Sequence, residues 1–242
     1  MNRLLKDIQV LFQDDDLLVV NKPPRLLTLP DRYAADKPSL IQALKEKDPG
    51  IMVNHRLDKD TSGVIVFTRN PEAHAQLSRQ FDQRTLTKTY LALVKGVVAS
   101  DEGVIDQPIA AHPSEDGRMR IWKGGKPSRS SYRVLERFRH YSWLEVTIDT
   151  GRTHQIRVHC AFIGHPLAVD PLYGSDEGVY LSSFKHNYRD NRQTSEQPLI
   201  DRLSLHAWKI SFAHPRTGDP VVVEAPLPKD LRAVINQLQK WG

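Results

Sequence analysis

The chain has 242 residues, 39% of them hydrophobic, and a formal net charge of +5. This size and composition are sufficient for a buried core, so we predict one folded domain over residues 1–242. A single cysteine, Cys160, excludes an internal disulfide framework and favours a reducing compartment. The sequence contains no signal peptide and no run near the roughly 18 apolar residues of a membrane span. We therefore expect a cytoplasmic protein without a membrane partner.

The positive charge is concentrated in one segment, residues 118–139. This basic segment carries eight basic residues and one acidic residue, Glu136. Without it, the totals of 34 basic and 29 acidic residues would become slightly acidic. Such a patch attracts polyanions and steers their approach, with most of the affinity coming from sequence-independent phosphate contacts. A solvated strand face with no partner remains an equal alternative.

Hydrophobic periodicity predicts an α+β fold, because many strands and few helices follow one another without regular alternation. The predicted strands lie at residues 8–13, 17–21, 51–53, 64–67, 87–95, 128–138, 142–149, 203–212 and 221–224. The predicted helices lie at about 40–47, 71–83, 154–163 and 228–241. We expect residues 174–198, which are polar and without a period, to form a flexible loop.

Local signals define where the helices begin and end. Ser39 and Asn70 are predicted N-caps, and Pro71 suits the first helical position. Thr153 or a residue near it is the predicted cap for the third helix, which Gly164 ends. The first turn of that helix offers backbone N–H groups suited to an anion.

The most informative stretch is the polar loop at residues 55–63, His-Arg-Leu-Asp-Lys-Asp-Thr-Ser-Gly. It lies between two predicted strands, where loops often carry functional groups. A solvated, salt-bridged connector is the alternative interpretation for an arbitrary charged loop of this kind.

This loop resembles the signature loop of the RluA-type RNA pseudouridine synthases, and further motifs extend the resemblance over most of the chain. They are Asn21-Lys22-Pro23, Lys88-Thr89-Tyr90-Leu91-Ala92, residues 150–159 (Thr-Gly-Arg-Thr-His-Gln-Ile-Arg-Val-His), Leu205-His206-Ala207-Trp208 and His214-Pro215. The family usually has a glycine two residues after its Lys-Pro pair, whereas this chain has Arg25. We therefore expect a turn of different shape at that point.

The resemblance implies a mixed, largely antiparallel sheet with a central active-site cleft in one pseudouridine synthase catalytic domain. It implies isomerisation of specific uridines in rRNA or tRNA, with Asp58 as the catalytic carboxylate. Arg157 would be the ion-pair partner of Asp58, and Tyr90 would stack on the uracil. Arg56 would fill the place of the flipped uridine. The remaining residues that we assign to substrate binding are His55, Arg152, His154 and Ile156.

Cofactor-free chemistry is the simplest interpretation, because the sequence has no HExxH, no paired cysteines, no Walker loop and no GxSxG elbow. A non-catalytic RNA-binding or RNA-remodelling module is the main alternative, and a base-releasing glycosidase is the second. The catalytic core is predicted to start almost at residue 1, which leaves no room for an N-terminal S4 domain. We expect a monomer with no protein partner.

Overall fold

A computed structural model describes residues 8–31, 34, 36–186, 188 and 195–242. It divides the chain into two compact units. Unit 1 contains the described residues of Met1–Thr89 and His206–Pro226, and unit 2 contains those of Tyr90–Leu205 and Leu227–Gly242. The single domain over residues 1–242, with its central cleft, stays a prediction.

The described residues form twelve strands, four α-helices and one short 3-10 helix, Leu181–Ser183. The strands are β1 (Gln9–Gln13), β2 (Leu17–Lys22), β3 (Met52–Val53), β4 (Ser62–Thr68), β5 (Thr87–Lys95), β6 (Glu102–Asp106), β7 (Ile109–Ala111), β8 (Met119–Ile121), β9 (Arg129–Arg137), β10 (Tyr141–Ile148), β11 (Leu205–Ala213) and β12 (Pro220–Glu224). The α-helices are α1 (Leu40–Lys45), α2 (Pro71–Gln83), α3 (Gln155–Phe162) and α4 (Lys229–Trp241).

Unit 1 is built around β4, whose seven residues are all buried. Its strand order is β1-β2-β4-β11, with β3 also paired to β4 and β12 to β11. The β2–β4 and β3–β4 pairs are antiparallel, whereas β4 and β11 run parallel. Because β4 has neighbours on both edges and is covered on both faces, its sequence is a continuous apolar run rather than an alternating one.

The β4–β11 pair depends on Gly63, the last residue of the signature loop. Gly63 has φ 119°, and a Cβ added there would lie 2.1 Å from the carbonyl oxygen of Ala207. Any side chain would therefore push the two strands apart. The neighbouring residues of both strands are also in contact, because Ser62 Oγ lies 3.0 Å from Nδ1 of the buried His206. The Nε2 atom of His206 lies 3.1 Å from the carbonyl oxygen of Ala225.

Unit 2 has the strand order β5-β10-β9-β6, and β7 and β8 form a separate antiparallel ribbon. Strand β9 pairs antiparallel with both β10 and β6. Helix α4 buries one face, formed by Leu231, Val234, Ile235 and Leu238. That spacing of three and four residues is the amphipathic pattern that the sequence shows.

The structure confirms the predicted α+β fold with a mixed, mostly antiparallel arrangement of strands. It also confirms the caps Ser39 and Asn70, the latter accepting a hydrogen bond from the amide of Ala73 at 2.9 Å. Strands β6, β7 and β8 were not predicted. Among the described residues, no helix is long and apolar enough to cross a membrane.

Two predictions about local structure need comment. Arg25 has φ 63°, a left-handed conformation that glycine adopts most easily and that costs another residue about 1–2 kcal/mol. Arg25 thus has a backbone conformation that a glycine would favour, and the predicted difference in the shape of this turn stays a prediction. The prediction of a flexible loop covers residues 174–198. Residues 187 and 189–194 of that loop lie outside the described residues.

Candidate active site

The loop between β3 and β4 presents Asp58 and Arg56 in different environments. Asp58 is half-buried, and its carbonyl oxygen accepts a hydrogen bond from the amide of Thr61 at 3.2 Å, which closes a turn. Arg56 is exposed. Within the part of the chain that the structure describes, its guanidinium has no hydrogen bond or ion pair. A side chain held only by its own backbone can reorient towards a bound molecule.

His55, the first residue of this loop, is held in place by contacts with β4 and α2. Its Nε2 accepts a hydrogen bond from the amide of Val66 in β4 at 3.0 Å, and its ring stacks on Phe81 at 4.9 Å. The ring is enclosed by protein atoms although part of the residue reaches the surface. Desolvation, followed by the nearby charge of Lys88, lowers the pKa of His55 to about 3. The imidazole is therefore neutral at physiological pH, and its role in substrate binding stays a prediction.

This shift has a consequence for stability. The pKa of His55 is lowered in the folded chain, so the unfolded chain binds a proton first as the pH falls below about 6.5. Stability from this group is complete above that pH and is lost progressively down to about 3. Between pH 7.5 and 5.5, His55 alone should reduce the free energy of unfolding by about 1.4 kcal/mol. Urea unfolding at the two pH values measures this change.

The control is His55→Gln, which cannot titrate in this range. Other groups contribute equally to both proteins, so the wild type should lose more stability than the variant over the same two pH units. Equal losses in the two proteins would contradict a buried, neutral His55.

In unit 2, Arg157 forms a buried ion pair with Asp170. Its Nε lies 2.8 Å from Oδ2 and its Nη2 lies 2.7 Å from Oδ1, a bidentate arrangement in which the side chains are 5% and 0% exposed. Asp170 Oδ1 also accepts from the amides of Leu172 and Tyr173. Arg157 therefore has a fixed position on α3. A guanidinium carries five N–H donors, so this pair is compatible with a second carboxylate.

Tyr173 organises the surroundings of Arg157. The Arg157 guanidinium lies 5.0 Å above its ring, and its hydroxyl lies 2.9 Å from Nδ1 of His154. Tyr90, on β5, is 9% exposed. The assignment of Tyr90, Arg157 and His154 to the site stays a prediction, and the sequence did not point to their neighbours Asp170 and Tyr173.

The start of α3 lies in the predicted region, with its N-cap one residue after Thr153. The N-cap is His154, with φ 55° and no capping side chain. The side chain of Gln155, the first helical residue, instead binds two groups that precede the helix: its Oε1 accepts from the amide of Arg152 at 3.1 Å and from the hydroxyl of Thr150 at 2.6 Å. Ile156 is buried at 4% exposure. Left-handed backbone at a non-glycine residue often marks a functional site, which keeps His154 a candidate.

The basic segment has fewer unneutralised positive charges than the sequence alone suggests. Four of its arginines form ion pairs: Arg118 with Glu115, Arg129 with Asp149, Arg133 with Glu145 and Arg137 with Asp101. Lys123 and Lys126 are exposed, and neither has a carboxylate partner among the described residues. Between them and Arg120 lies Trp122, which is 52% exposed and has the Arg120 guanidinium 4.5 Å above its ring.

One other cluster in unit 1, Asp14, Asp16 and His214, has three potential metal-ligand atoms within 4.8 Å. Its oxygens already have donors. Asp14 accepts from the amides of Asp16 and Leu17, and Asp16 accepts from Arg216 and Asn70. The hydrogen bond from Arg216 is the main reason why the pKa of Asp16 is lowered. This arrangement fits an ionic link between two turns better than a metal site.

Known proteins resemble the chain over nearly its whole length. The RNA pseudouridylate synthase family matches residues 16–162. The chain is 39% identical over 238 residues to ribosomal large subunit pseudouridine synthase D of Nitrosomonas europaea, covering 96% of this chain and 65% of that protein. It is 37% identical over 246 residues to the uncharacterized RNA pseudouridine synthase YlyB of Bacillus subtilis, covering 98% of this chain and 74% of that protein.

Two solved human structures share the fold. Human RNA Pseudouridylate Synthase Domain Containing 4 aligns with a TM-score of 0.73 and 25% identity, over 98% of this chain and 96% of that one. Human RNA Pseudouridylate Synthase Domain Containing 1 aligns with a TM-score of 0.71 and 28% identity, over 93% and 85%. The chain therefore belongs to the RNA pseudouridylate synthase family, a family of isomerases.

Proposed function

We propose that this chain converts uridine to pseudouridine in rRNA, using the carboxylate of Asp58. The observation that carries the proposal is the loop at residues 55–63: it lies within the region matched by the family and presents a half-buried aspartate beside an exposed arginine. The non-catalytic alternative needs only a basic surface. It gives no reason for a carboxylate in a rigidly held loop.

The reaction is an isomerisation, so uridine and pseudouridine have the same atomic composition. The bond between N1 of the uracil and C1′ of the ribose breaks, the uracil turns, and C5 bonds to C1′. C5 then loses its proton to solvent, and N1 takes up a proton from solvent. Asp58 either adds to C1′ or removes the C2′ proton, and both roles require the ionised carboxylate. This chemistry balances without an oxidant or a reductant.

Three further residues complete the proposed site. Arg157 keeps Asp58 ionised and oriented, because a cation near a carboxylate favours its charged form. Tyr90 stacks on the uracil and helps to move the C5 proton. Arg56 takes the position that the flipped uridine leaves, since a guanidinium can stack on neighbouring bases and bind phosphate. His55, Arg152, His154 and Ile156 are proposed to shape the binding site.

The relatives support rRNA as the first substrate to test, because Nitrosomonas europaea and Pasteurella multocida proteins similar to this chain are named as ribosomal large subunit synthases. We propose that the chain acts as a monomer on cytoplasmic RNA. Pseudouridine mapping of total RNA from cells with and without the gene tests this proposal. One or more large-subunit positions should lose pseudouridine without the gene. Loss of pseudouridine only in tRNA would show that tRNA, and not rRNA, is the substrate. No loss of pseudouridine in any RNA would contradict the proposed activity.

The exposed lysines of the basic segment should contribute to RNA affinity without sequence preference. Replacing Lys123 and Lys126 with glutamine should lower the slope of log affinity against log salt by about 1.4–1.8, since each phosphate contact releases about 0.7–0.9 counterions. Fluorescence anisotropy with a labelled RNA hairpin at several salt concentrations measures the slope.

The matched control is Arg133→Gln with Arg137→Gln. Both arginines already have carboxylate partners, so this pair should change the slope less than the lysine pair. An unaltered slope in the lysine variant would show that RNA contacts another surface.

A further inference from the structure

Asp58 lies between peptide groups that are held by two buried side chains, Lys22 at the end of β2 and Thr28 in the segment that follows it. On one side, Thr28 Oγ1 accepts a hydrogen bond from the amide of Leu57 at 3.2 Å and donates one to the carbonyl oxygen of Leu57 at 2.8 Å. One hydroxyl thus binds both backbone groups of the residue immediately before Asp58. Thr28 is 2% exposed, so water cannot replace these bonds without a rearrangement.

On the other side, the ammonium group of Lys22 holds the residue immediately after Asp58. Its Nζ donates to the carbonyl oxygens of Lys59 at 2.9 Å, Leu26 at 2.8 Å and Pro23 at 2.9 Å. The Lys22 side chain is fully buried. A long side chain is normally free to reorient, but three acceptors in a buried place keep this one in a single position.

Thr28 is itself fixed by helix α1. Its carbonyl oxygen accepts from the amide of Ile41 at 3.2 Å, and the carbonyl oxygen of the preceding Leu27 accepts from the amide of Leu40 at 2.8 Å. The first turn of a helix has amides without partners inside the helix, and here two of them hold the Thr28 segment. A continuous set of hydrogen bonds therefore runs from α1 through Thr28 to the peptide of Leu57.

We propose that Thr28, acting with Lys22, is a positioning residue that fixes the backbone on both sides of Asp58 and so directs its carboxylate. Its effect is on the rate of the chemical step. A displacement of a reacting group by about 1 Å can cost about 100-fold in rate, whereas RNA binding depends on contacts spread over a wide surface. The inference rests on the proposed function, because it assumes that Asp58 carries out the chemistry.

Thr28 offers the sharper test because it has an isosteric replacement. Thr28→Val removes the hydroxyl and keeps the volume, and should lower the single-turnover rate at saturating RNA by about 10- to 100-fold with an unchanged dissociation constant for RNA. Thr28→Ser restores the hydroxyl and should return the rate to within about threefold of the wild type. If Thr28→Val does not fold, Thr28→Cys is used instead, and its weaker hydrogen bonds should give an intermediate rate.

Ser142→Ala is the matched control. Ser142 is also fully buried, and its Oγ accepts from the amide of Val98 at 2.9 Å and donates to the oxygen of Gly96 at 2.9 Å. The control therefore removes the same two kinds of hydrogen bond from unit 2. It should leave the rate at saturating RNA unchanged even if it lowers stability to the same extent.

The possible outcomes separate this inference from the proposed function. A Thr28→Val protein that loses no more rate than Ser142→Ala, or that changes only the RNA affinity, overturns the positioning role. An active Asp58→Asn protein instead overturns the catalytic role of Asp58, whatever Thr28 does. An inactive Asp58→Asn protein together with a slow Thr28→Val protein rescued by Thr28→Ser supports both.

Discussion

Asp58→Asn is expected to reduce the rate of pseudouridine formation by at least about 1,000-fold, because an amide can act neither as an anionic nucleophile nor as a base. The dissociation constant for RNA should change by less than about threefold, since the two side chains have nearly the same shape. Tritium release from RNA labelled at C5 of uridine, under single-turnover conditions, measures the rate.

Asp60→Asn provides the internal control for this experiment. Asp60 lies two residues after Asp58 in the same loop, so the control makes the same chemical change to the charge of the loop. It should keep a rate close to that of the wild type. Comparable rates for Asp58→Asn and wild type would show that Asp58 is not the catalytic residue. If Asp60→Asn were inactive in the same experiment, Asp60 would become the catalytic candidate.

Arg157→Met should have the largest effect on stability. Asp170, whose side chain is fully buried, would lose the two guanidinium donors that now contact it. Removing one partner of a buried ion pair typically costs about 3–5 kcal/mol of the free energy of unfolding. Urea unfolding followed by circular dichroism measures the loss.

Adding Asp170→Asn to this variant separates stability from catalysis. The neutral amide can still accept from Leu172 and Tyr173 through its oxygen, so about half of the lost stability should return. The rate should stay at least about 100-fold below wild type if Arg157 acts on Asp58 electrostatically. Recovery of the rate together with the stability would make Arg157 a purely structural residue.

Arg202 is the matched control for Arg157. It forms a similar bidentate pair with Asp230, but the Asp230 side chain is 31% exposed. Water can therefore solvate the carboxylate once the arginine is gone. Arg202→Met should destabilise the chain less than Arg157→Met and should leave the rate at saturating RNA unchanged.

Elements with local signals were predicted almost to the residue. Asn70 and Pro71 specify the start of α2 through side-chain capping and a fixed φ, which need no distant partner. Strand β5 follows from its run of β-forming residues. Helix α3 begins in the predicted region, but its N-cap His154, one residue after Thr153, has no capping side chain, and Gln155 binds back to Arg152 and Thr150 before the helix. Propensities for N-cap residues do not describe such a connection.

Candidate site residues could be named from the sequence only where they follow a family motif. Asp170 lies thirteen residues from Arg157, and neither helical nor strand periodicity brings residues at that separation together. In the basic segment, the sequence determines the number of charges but not their partners. Arg133 meets Glu145 because the two residues are directly opposite in the β9–β10 ladder, and that register depends on the folded sheet.

The central claim, that this chain is an isomerase acting on uridine in RNA, can be tested by identifying the product. The purified protein is incubated with large-subunit rRNA that carries tritium at C5 and carbon-14 in the uracil ring, and the digested RNA and the released small molecules are both analysed. We predict that tritium enters water, that carbon-14 stays in the RNA, and that pseudouridine appears in equal molar amount. Carbon-14 released as free uracil would indicate a glycosidase, and binding of the RNA with no tritium release would indicate a non-catalytic module; either result would contradict the claim.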